Sequence, residues 1–346
     1  MANILYGICG EGFGHAARSK EVVDYLVSAG HKVVLISYDR GFKYLSEFYE
    51  VEEISGLNIT YKDNEVKYLP TVFNNFLKSH EAVRSLEKVS KIVADHQINL
   101  VISDFEPIAS TIAKLKKLPL ISIDNQHILT DAKVDYFKNY HSAYLVDKMV
   151  SKLMVFGAKA YLVLSFFPCQ AKNKRTFIFP PIIKSEILSA PGTVGDKILV
   201  YLTSGDEGAI SALKNQPAEF IIYGLNKNDY QGNLTFKLAD RQTFLDDLLA
   251  CRAIIANAGF SLISEALYLT KPYLAVPAKQ QYEQTLNAHY LSVLGYGEYH
   301  ENLTPAVVSG FLSKLDDYRQ TLNGAVKSGN QAVFSKLAEL IKVYTK

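Results

Sequence analysis

An α/β protein with two parallel-sheet domains is predicted by three observations on this chain of 346 residues. Short apolar, strand-like runs alternate with helical runs from the first residues onward, the pattern of consecutive βαβ units. The alternation breaks at Phe179-Pro180-Pro181 and the SAPGTVG run of residues 189–195, then restarts. Glycines come within three residues of the apolar runs at residues 4–8 and 253–256, where a chain leaving a strand has to pass close to other atoms.

In order, residues 4–8 read as a strand, 17–29 as a helix and 32–37 as a second strand. The helix 81–96, strand 100–103, helix 108–117 and strand 120–123 continue the series, followed by a helical stretch at 136–158 and a strand at 161–165. After the break come the strand 197–202, the loop TSGDEG, a helix, the strand 219–223, the helix 244–251 and the strand 253–256. Residues 257–288 then pass through a glycine turn, a helix, a strand ending at Pro277 and a polar cluster before another helix. The last run, 331–344, has an apolar face of Val333, Phe334, Leu337, Leu340 and Ile341, so it must pack on something. The expected domains are 1–181 and 182–330, both Rossmann-like.

Composition bounds the function. A hydrophobic content of 48% with 21% charged residues is that of a globular chain, and a net charge of +2 with no arginine-rich run argues against nucleic acid as the main partner. Charge is uneven, however: residues 105–175 hold eleven Lys or Arg against five Asp or Glu, including Lys114, Lys116 and Lys117. That excess fits a solvated helix face, an anionic acceptor or peripheral contact with an anionic membrane. Cys9, Cys169 and Cys251 lack metal-ligand spacing, and an odd number suits a reducing compartment, so a cytoplasmic location is expected. The N-terminal apolar run has no basic leader and flows into glycines, which makes it a first strand and not a signal peptide.

Gly10, Gly12 and Gly14 follow the first strand, and His15 stands at the entrance to the first helix. The residues alone leave three readings open. In the first, Gly12, Gly14 and Ala17 form a dinucleotide-binding GxGxxA loop with Asp39 ending the second strand. In the second, the glycines make a tight turn and His15 caps the helix. In the third, His15 is a general base, since imidazole titrates near neutral pH and can take a proton from a hydroxyl. Asp104, at the carboxyl end of LVISD, is placed to orient such a base, and equally to cap the following helix. Farther on, the turn at Gly259 puts the first amides of a helix near Phe260 and Ser261, which suits an anion.

These motifs resemble the GT-B glycosyltransferases, in particular inverting enzymes with a GxGxGH-type N-terminal loop. The C-terminal part is similar to the peptidoglycan N-acetylglucosaminyltransferases and the glucuronosyl and plant natural-product transferases, whose donor signature runs approximately HCGxNSxxE, GVP, a later proline, DQ and NA. The matching residues here are Asn257-Ala258-Gly259-Phe260-Ser261, Glu265, Lys271-Pro272, Pro277, Glu283-Gln284 and Asn287-Ala288. The resemblance covers the whole chain in organisation, with specific motifs at residues 10–18, 103–107, 203–208 and 256–288.

It implies two Rossmann-like domains facing across a cleft, with residues 331–346 crossing back to the first. Gly259, Phe260 and Ser261 would meet the donor phosphates, Glu265 the ribose hydroxyls, Glu283 and Gln284 the sugar, Ser204 and Gly205 the diphosphate region, and Phe244 the base. Gly12, Gly14 and His127 fall on the acceptor side. Asn257 and Ser261 depart from the usual histidine and asparagine, and a chain without Trp has no indole to stack the base. The implied reaction is inverting transfer from a nucleotide sugar, UDP-linked as in the families it resembles, to a hydroxyl of a glycan, lipid or small aglycone, with His15 as base oriented by Asp104. No cofactor beyond the co-substrate and no metal are expected: there is no DxD, the nearest approach being Asp104-Phe105-Glu106. A non-hydrolysing UDP-N-acetylglucosamine 2-epimerase, or a nucleotide-sugar-binding protein without turnover, would use the same architecture.

Overall fold

The computed structural model describes residues 1–56, 61–62, 65–66, 79–190, 194–202, 207–325 and 327–345. The chain divides into two compact units, the first made of Met1–Thr60, Lys67–Lys184 and Ser328–Lys346, the second of Ser185–Lys327 with Tyr61–Val66.

Among the described residues of the first unit, β1 (Asn3–Ile8), β2 (Lys32–Ser37), β3 (Val51–Glu53), β4 (Leu100–Asp104), β5 (Leu120–Asp124), β6 (Ala160–Leu164) and β7 (Thr176–Phe179) form one sheet in the order β7-β6-β5-β4-β1-β2-β3. All its pairings are parallel. β4, β5 and β6 are buried along their whole length, as expected of strands covered by helices on both faces. Helices α1 (Phe13–Ser28), α2 (Asp39–Leu45), α3 (Ser79–Asp95), α4 (Pro107–Lys116) and α5 (His141–Met154) supply part of that cover. Strand order reverses between β1 and β4, and the register aligns Ile8 with Asp104. The carboxyl ends of these two strands are therefore neighbours at a topological switch point, where open α/β sheets bind ligands.

Local chemistry shapes that edge. A Cβ on Gly7 would fall 2.5 Å from Ala109 Cβ and 2.7 Å from Glu106 Oε2, so glycine here lets α4 lie against β1. Gly12 has a φ of 76°, in the left-handed region that suits glycine, and is the N-cap residue of α1. Phe105, at φ 54°, swings the chain from β4 into α4. Glu106 then caps that helix, accepting from the amides of Ile108 at 2.9 Å and Ala109 at 2.6 Å. Capping thus falls to Glu106, and Asp104 is left for other work. His15 does not cap α1 either, because it sits inside the helix and no side chain bonds its N-terminus. Asp39 opens α2 and is exposed; it does not end β2.

The C-terminal helix α12 (Gln331–Tyr344) belongs to the first unit, with Val333, Leu337, Leu340 and Ile341 buried. Its Phe334 stacks on Tyr25 with ring centroids 4.5 Å apart, and Tyr344 Oη donates to Lys159 O at 3.3 Å. Asn330, just before it, accepts from Ile183 N at 2.9 Å and donates to Ile183 O at 2.8 Å.

In the second unit, β8 (Ile198–Tyr201), β9 (Phe220–Tyr223), β10 (Asp229–Gln231), β11 (Leu234–Phe236), β12 (Ala253–Ala256), β13 (Tyr273–Ala275) and β14 (Gly297–Tyr299) run in the order β10-β11-β9-β8-β12-β13-β14. They are parallel except for the β10–β11 pair. The described helices include α6 (Glu207–Leu213), α7 (Arg241–Ala250), α8 (Phe260–Tyr268), α9 (Tyr282–Val293), α10 (Pro305–Ser313) and α11 (Leu315–Asn323). Its switch point lies between β8 and β12. Lys271 is 1% exposed and donates to Leu249 O at 2.9 Å and Cys251 O at 2.5 Å, tying the end of α7 to the start of β13.

Two stability predictions follow from these contacts. Asn330→Ala strips both partners from Ile183 and should cost about 1–3 kcal/mol in urea unfolding, with Asn330→Asp intermediate because it still accepts but cannot donate. Burial pushes the Glu106 carboxyl from 4.5 up to about 7, although its two amide partners favour the charged form. A carboxyl raised in the folded state contributes stability below its unfolded value that is lost as pH rises through the folded one. Glu106→Gln should therefore destabilise more at pH 5 than at pH 8, by on the order of 1–3 kcal/mol; a cost that grew with pH would show the amide bonds to be dominant.

Candidate active site

At the carboxyl edge of the first sheet, α1 delivers His15 and Arg18 to one face, three residues apart, over Asp104 at the end of β4. Asp104 is fully buried and Arg18 is 5% exposed. Their contact is bidentate: Arg18 Nε donates to Oδ2 at 2.6 Å and Nη2 to Oδ1 at 2.5 Å. Ser19 Oγ adds a bond to Oδ2 at 3.0 Å, and His15 Nδ1 lies 2.7 Å from Oδ1. Burial pushes the Asp104 carboxyl up, but the Arg18 guanidinium and then His15 outweigh it and hold it at about 2. Arg18 is held firmly charged: burial opposes its charge, and Asp104 more than compensates.

His15 Nδ1 is also 2.8 Å from Arg18 Nη2, and this makes the ring's tautomer a choice. A guanidinium only donates. Either Nδ1 carries the proton and donates to Asp104, leaving Nε2 with a lone pair, or Nδ1 accepts from Arg18 and the proton sits on Nε2. Gln126, in the loop after β5, completes the network with Nε2 of its amide 3.3 Å from His15 Nε2. As drawn, that amide donates to a lone pair and matches the first tautomer. Gln126 Oε1 is buried without a hydrogen-bond partner among the described residues. Exchanging the amide's O and N would leave the nitrogen there instead, so either orientation has one polar atom unmatched.

The run Asp124-Asn125-Gln126-His127 therefore enters the site through its middle. Asn125 Oδ1 accepts from Arg18 Nη1 at 2.5 Å, and Gln126 faces His15. His127, expected on the acceptor side, is 2% exposed, with Nδ1 2.8 Å from both Asp124 oxygens and Nε2 3.3 Å from Val155 O. Both ring nitrogens are thus committed to the protein, and His127 braces the loop. Burial opposes its protonation, yet the adjacent Asp124 carboxylate raises its pKa above the ordinary value. The sequence reading missed Arg18 and Gln126. Arg18's spacing from His15 was the available signal; Gln126 had none beyond following a strand. Gly12 and Gly14 lie in the half-buried turn and first turn that lead to His15.

In the second unit, the corresponding strand ends carry the residues of the resemblance. Ser204 and Gly205 follow β8 in sequence and lie outside the described residues. After β12 the turn is held from three sides: Asn257 Nδ2 donates to Val276 O at 2.9 Å, Tyr273 Oη to Asn257 O at 2.6 Å, and Asn287 Nδ2 to Ala258 O at 3.1 Å. The Asn257 amide nitrogen is thus used on the protein, at the position where the resemblance has a histidine. Gly259 is the N-cap of α8 with an ordinary φ of −69°, and a Cβ there would meet nothing within 4 Å. Neither backbone strain nor packing requires a glycine, a correction to the reading of a forced tight exit from the strand.

No side chain caps α8, so its first-turn amides near Phe260 and Ser261 can serve an anion. Glu265 is buried at 6% exposure in this helix. Glu283 sits half-buried in the first turn of α9, and Gln284 uses its Oε1 to accept from Ala278 N at 2.9 Å, leaving its NH2 as the group it can offer. Phe244 packs edge-on against Tyr201 and Tyr223, the last residues of β8 and β9, with centroids 5.7 and 5.1 Å away.

Comparison with known proteins agrees with this architecture. An uncharacterized glycosyltransferase of Methanosarcina acetivorans is 24% identical over 342 residues, covering 88% of this chain and 87% of its own length. The UDP-N-acetylglucosamine–N-acetylmuramyl-(pentapeptide) pyrophosphoryl-undecaprenol N-acetylglucosamine transferase of Clostridium kluyveri is 27% identical over 190 residues, 47% of this chain and 54% of that one. Among solved structures, a UDP-glucosyltransferase from Polygonum tinctorium superposes with a TM-score of 0.68 at 13% identity, covering 100% and 99% of the two chains. Acinetobacter baumannii MurG does so at 0.60 and 14%, covering 97% and 99%. These likenesses show a GT-B fold. The family model described as Glycosyl transferase family 1 matches residues 2–316. With nearly the whole chain matched and both sheets arranged as that fold requires, this glycosyltransferase belongs to glycosyl transferase family 1.

Proposed function

We propose that the protein is an inverting transferase that moves a sugar from a nucleotide sugar, UDP-linked, to an acceptor hydroxyl, with His15 as the general base. The observation that carries this reading is the 2.7 Å contact of His15 Nδ1 with the buried, arginine-paired Asp104. A carboxylate there keeps the proton on Nδ1 and the Nε2 lone pair available. The acceptor hydroxyl gives its proton to Nε2 as its oxygen attacks the anomeric carbon, and the bond to the diphosphate breaks on the opposite face. The amides at the start of α8 stabilise the charge that collects on the leaving diphosphate. Glu265, Glu283, Gln284, Phe244, Ser204 and Gly205 keep the donor roles implied by the resemblance, and the nucleotide sugar is a co-substrate with no further cofactor.

The Clostridium kluyveri relative is named for a pyrophosphoryl-undecaprenol acceptor. Together with the basic excess of residues 105–175, this supports a lipid-linked acceptor here, met by peripheral contact with a membrane from the cytoplasmic side.

Four measurements test the reading. His15→Ala should lower kcat/KM by about 10²–10⁴-fold while leaving donor binding intact; turnover near wild type would sink the mechanism. Gln126→Glu places an acceptor-only group at Nε2, favours the proton on that nitrogen, and should depress kcat far more than Gln126→Met, with a matching change in the ¹⁵N signature of the ring. Adding a UDP-sugar should raise the melting temperature, by an amount equivalent to about 2.7 kcal/mol at a hundredfold excess over Kd. Gly259→Ala should leave the unliganded melting temperature unchanged and shrink that shift, because its Cβ meets no protein atom within 4 Å and stands at the α8 start; a full shift in this variant would remove the α8 start from the donor site.

A further inference from the structure

Helix α5 presents an unusual outer face. Leu145, Met149 and Leu153 recur every four residues, which puts them on one stripe, and they are 49%, 55% and 64% exposed. Large apolar side chains on one exposed stripe are not required by the core, whose share of this helix is Ala143, Ser151 and Met154. The end of the stripe is continuous with a second element. Ser110 Oγ of α4 donates to Met154 O at 3.0 Å, and Lys114 Nζ of α4 lies 5.1 Å from the ring of Phe156. Leu115, beside it, is 65% exposed.

The charged side chains on the exposed face of α5 and at its edge are lysines. Lys152 lies on the exposed face and Lys148 at its edge, with Nζ bonded to Tyr144 Oη at 3.0 Å. Lys114, Lys116 and Lys117 are exposed at the end of α4. The exposed residues of α5 are His141, Ser142, Leu145, Met149, Lys152 and Leu153, so no carboxylate interrupts the face; Asp147 is on the inner side, half-buried. An apolar stripe bordered by lysines suits a surface that is itself apolar below and anionic above. That is the chemistry of a bilayer with anionic headgroups. The helix has 14 residues, and among the described residues none is long and apolar enough to cross a membrane, so the fit is to lying in the interface.

We propose that α5, with the end of α4, is the surface by which this enzyme docks on anionic phospholipid, Leu145, Met149 and Leu153 entering the headgroup layer while the lysines meet the phosphates. The assignment rests on the reading of peripheral membrane contact and names the part of the chain that makes it. It does not depend on His15 being the base, since docking is read without turnover.

The test is sedimentation of the full-length protein with vesicles of phosphatidylglycerol and phosphatidylcholine in equal parts, against phosphatidylcholine alone. Wild type should bind the mixed vesicles, release as salt rises, and ignore the neutral ones. The triple variant Leu145→Ser, Met149→Ser, Leu153→Ser should lose about tenfold or more in binding. Lys148→Gln with Lys152→Gln should lose about fivefold for each lysine and show a weaker salt dependence. All the substituted side chains are at the surface, and unchanged thermal unfolding verifies that each variant is folded. If wild type ignores anionic vesicles, the membrane reading falls and the surface with it. If wild type binds and the triple variant binds equally well, membrane contact stands and this surface is wrong. A wild-type dimer that the serine substitutions dissociate, without vesicle binding, would assign the stripe to a second copy of the chain and overturn the proposal.

Discussion

A carboxylate taken out of water at the edge of a parallel sheet must be paired, and the pairing of Asp104 with Arg18 is the contact around which the rest of the first unit's site is built. The guanidinium fork occupies both carboxylate oxygens, so the charge of Asp104 is retained despite complete burial. His15 is then held by a group that is already balanced, and its own orientation follows from geometry. The same guanidinium reaches Asn125, which couples the loop after β5 to helix α1. Removing either member of the pair leaves an unbalanced buried charge, so the site and the stability of this edge are one construction.

The second unit solves a different problem at its own switch point. There the described residues hold a turn and a helix start without a side-chain cap in place with neutral groups. Asn257, Tyr273 and Asn287 use their side chains on backbone and neighbouring strands, fixing the approach to Gly259 without filling the space in front of it. Residues that look like ligand donors in a motif can thus be the scaffold on which backbone donors are presented. This division suits the two tasks of the proposed reaction: a proton-transfer group needs a rigid orienting charge beside it, whereas a diphosphate is well served by amides and a helix dipole.

Periodicity carried most of the fold. The strands at 32–37 and 253–256 and the final helix at 331–344 were read with the bounds they have, because alternating or fully apolar runs between turn residues leave little ambiguity. The helical stretch 136–158 shrank to α5, since its first residues form a short 3-10 turn and its last residues lead into β6. The β10–β11 pair and the short β3 and β7 escaped notice; three- or four-residue strands at a sheet edge have too few positions to show a period.

His15, Asp104 and the turn at Gly259 were legible because glycine loops, a histidine at a helix entrance and an acidic residue at a strand end are local signals. Arg18, Gln126 and the inward commitment of His127 were not, since they depend on distant partners. Asp104 and Arg18 are 86 residues apart, and Gln126 lies 111 residues from His15. By itself the sequence determined the alternation of elements, the two parallel sheets and the residue types at their carboxyl edges, because turn chemistry and hydrophobic period are properties of neighbours in the chain. Only the tertiary structure decided which carboxylate caps a helix and which orients the histidine. That choice is made by parallel register, which sets Asp104 beside Ile8 and leaves Glu106 to the amides of α4.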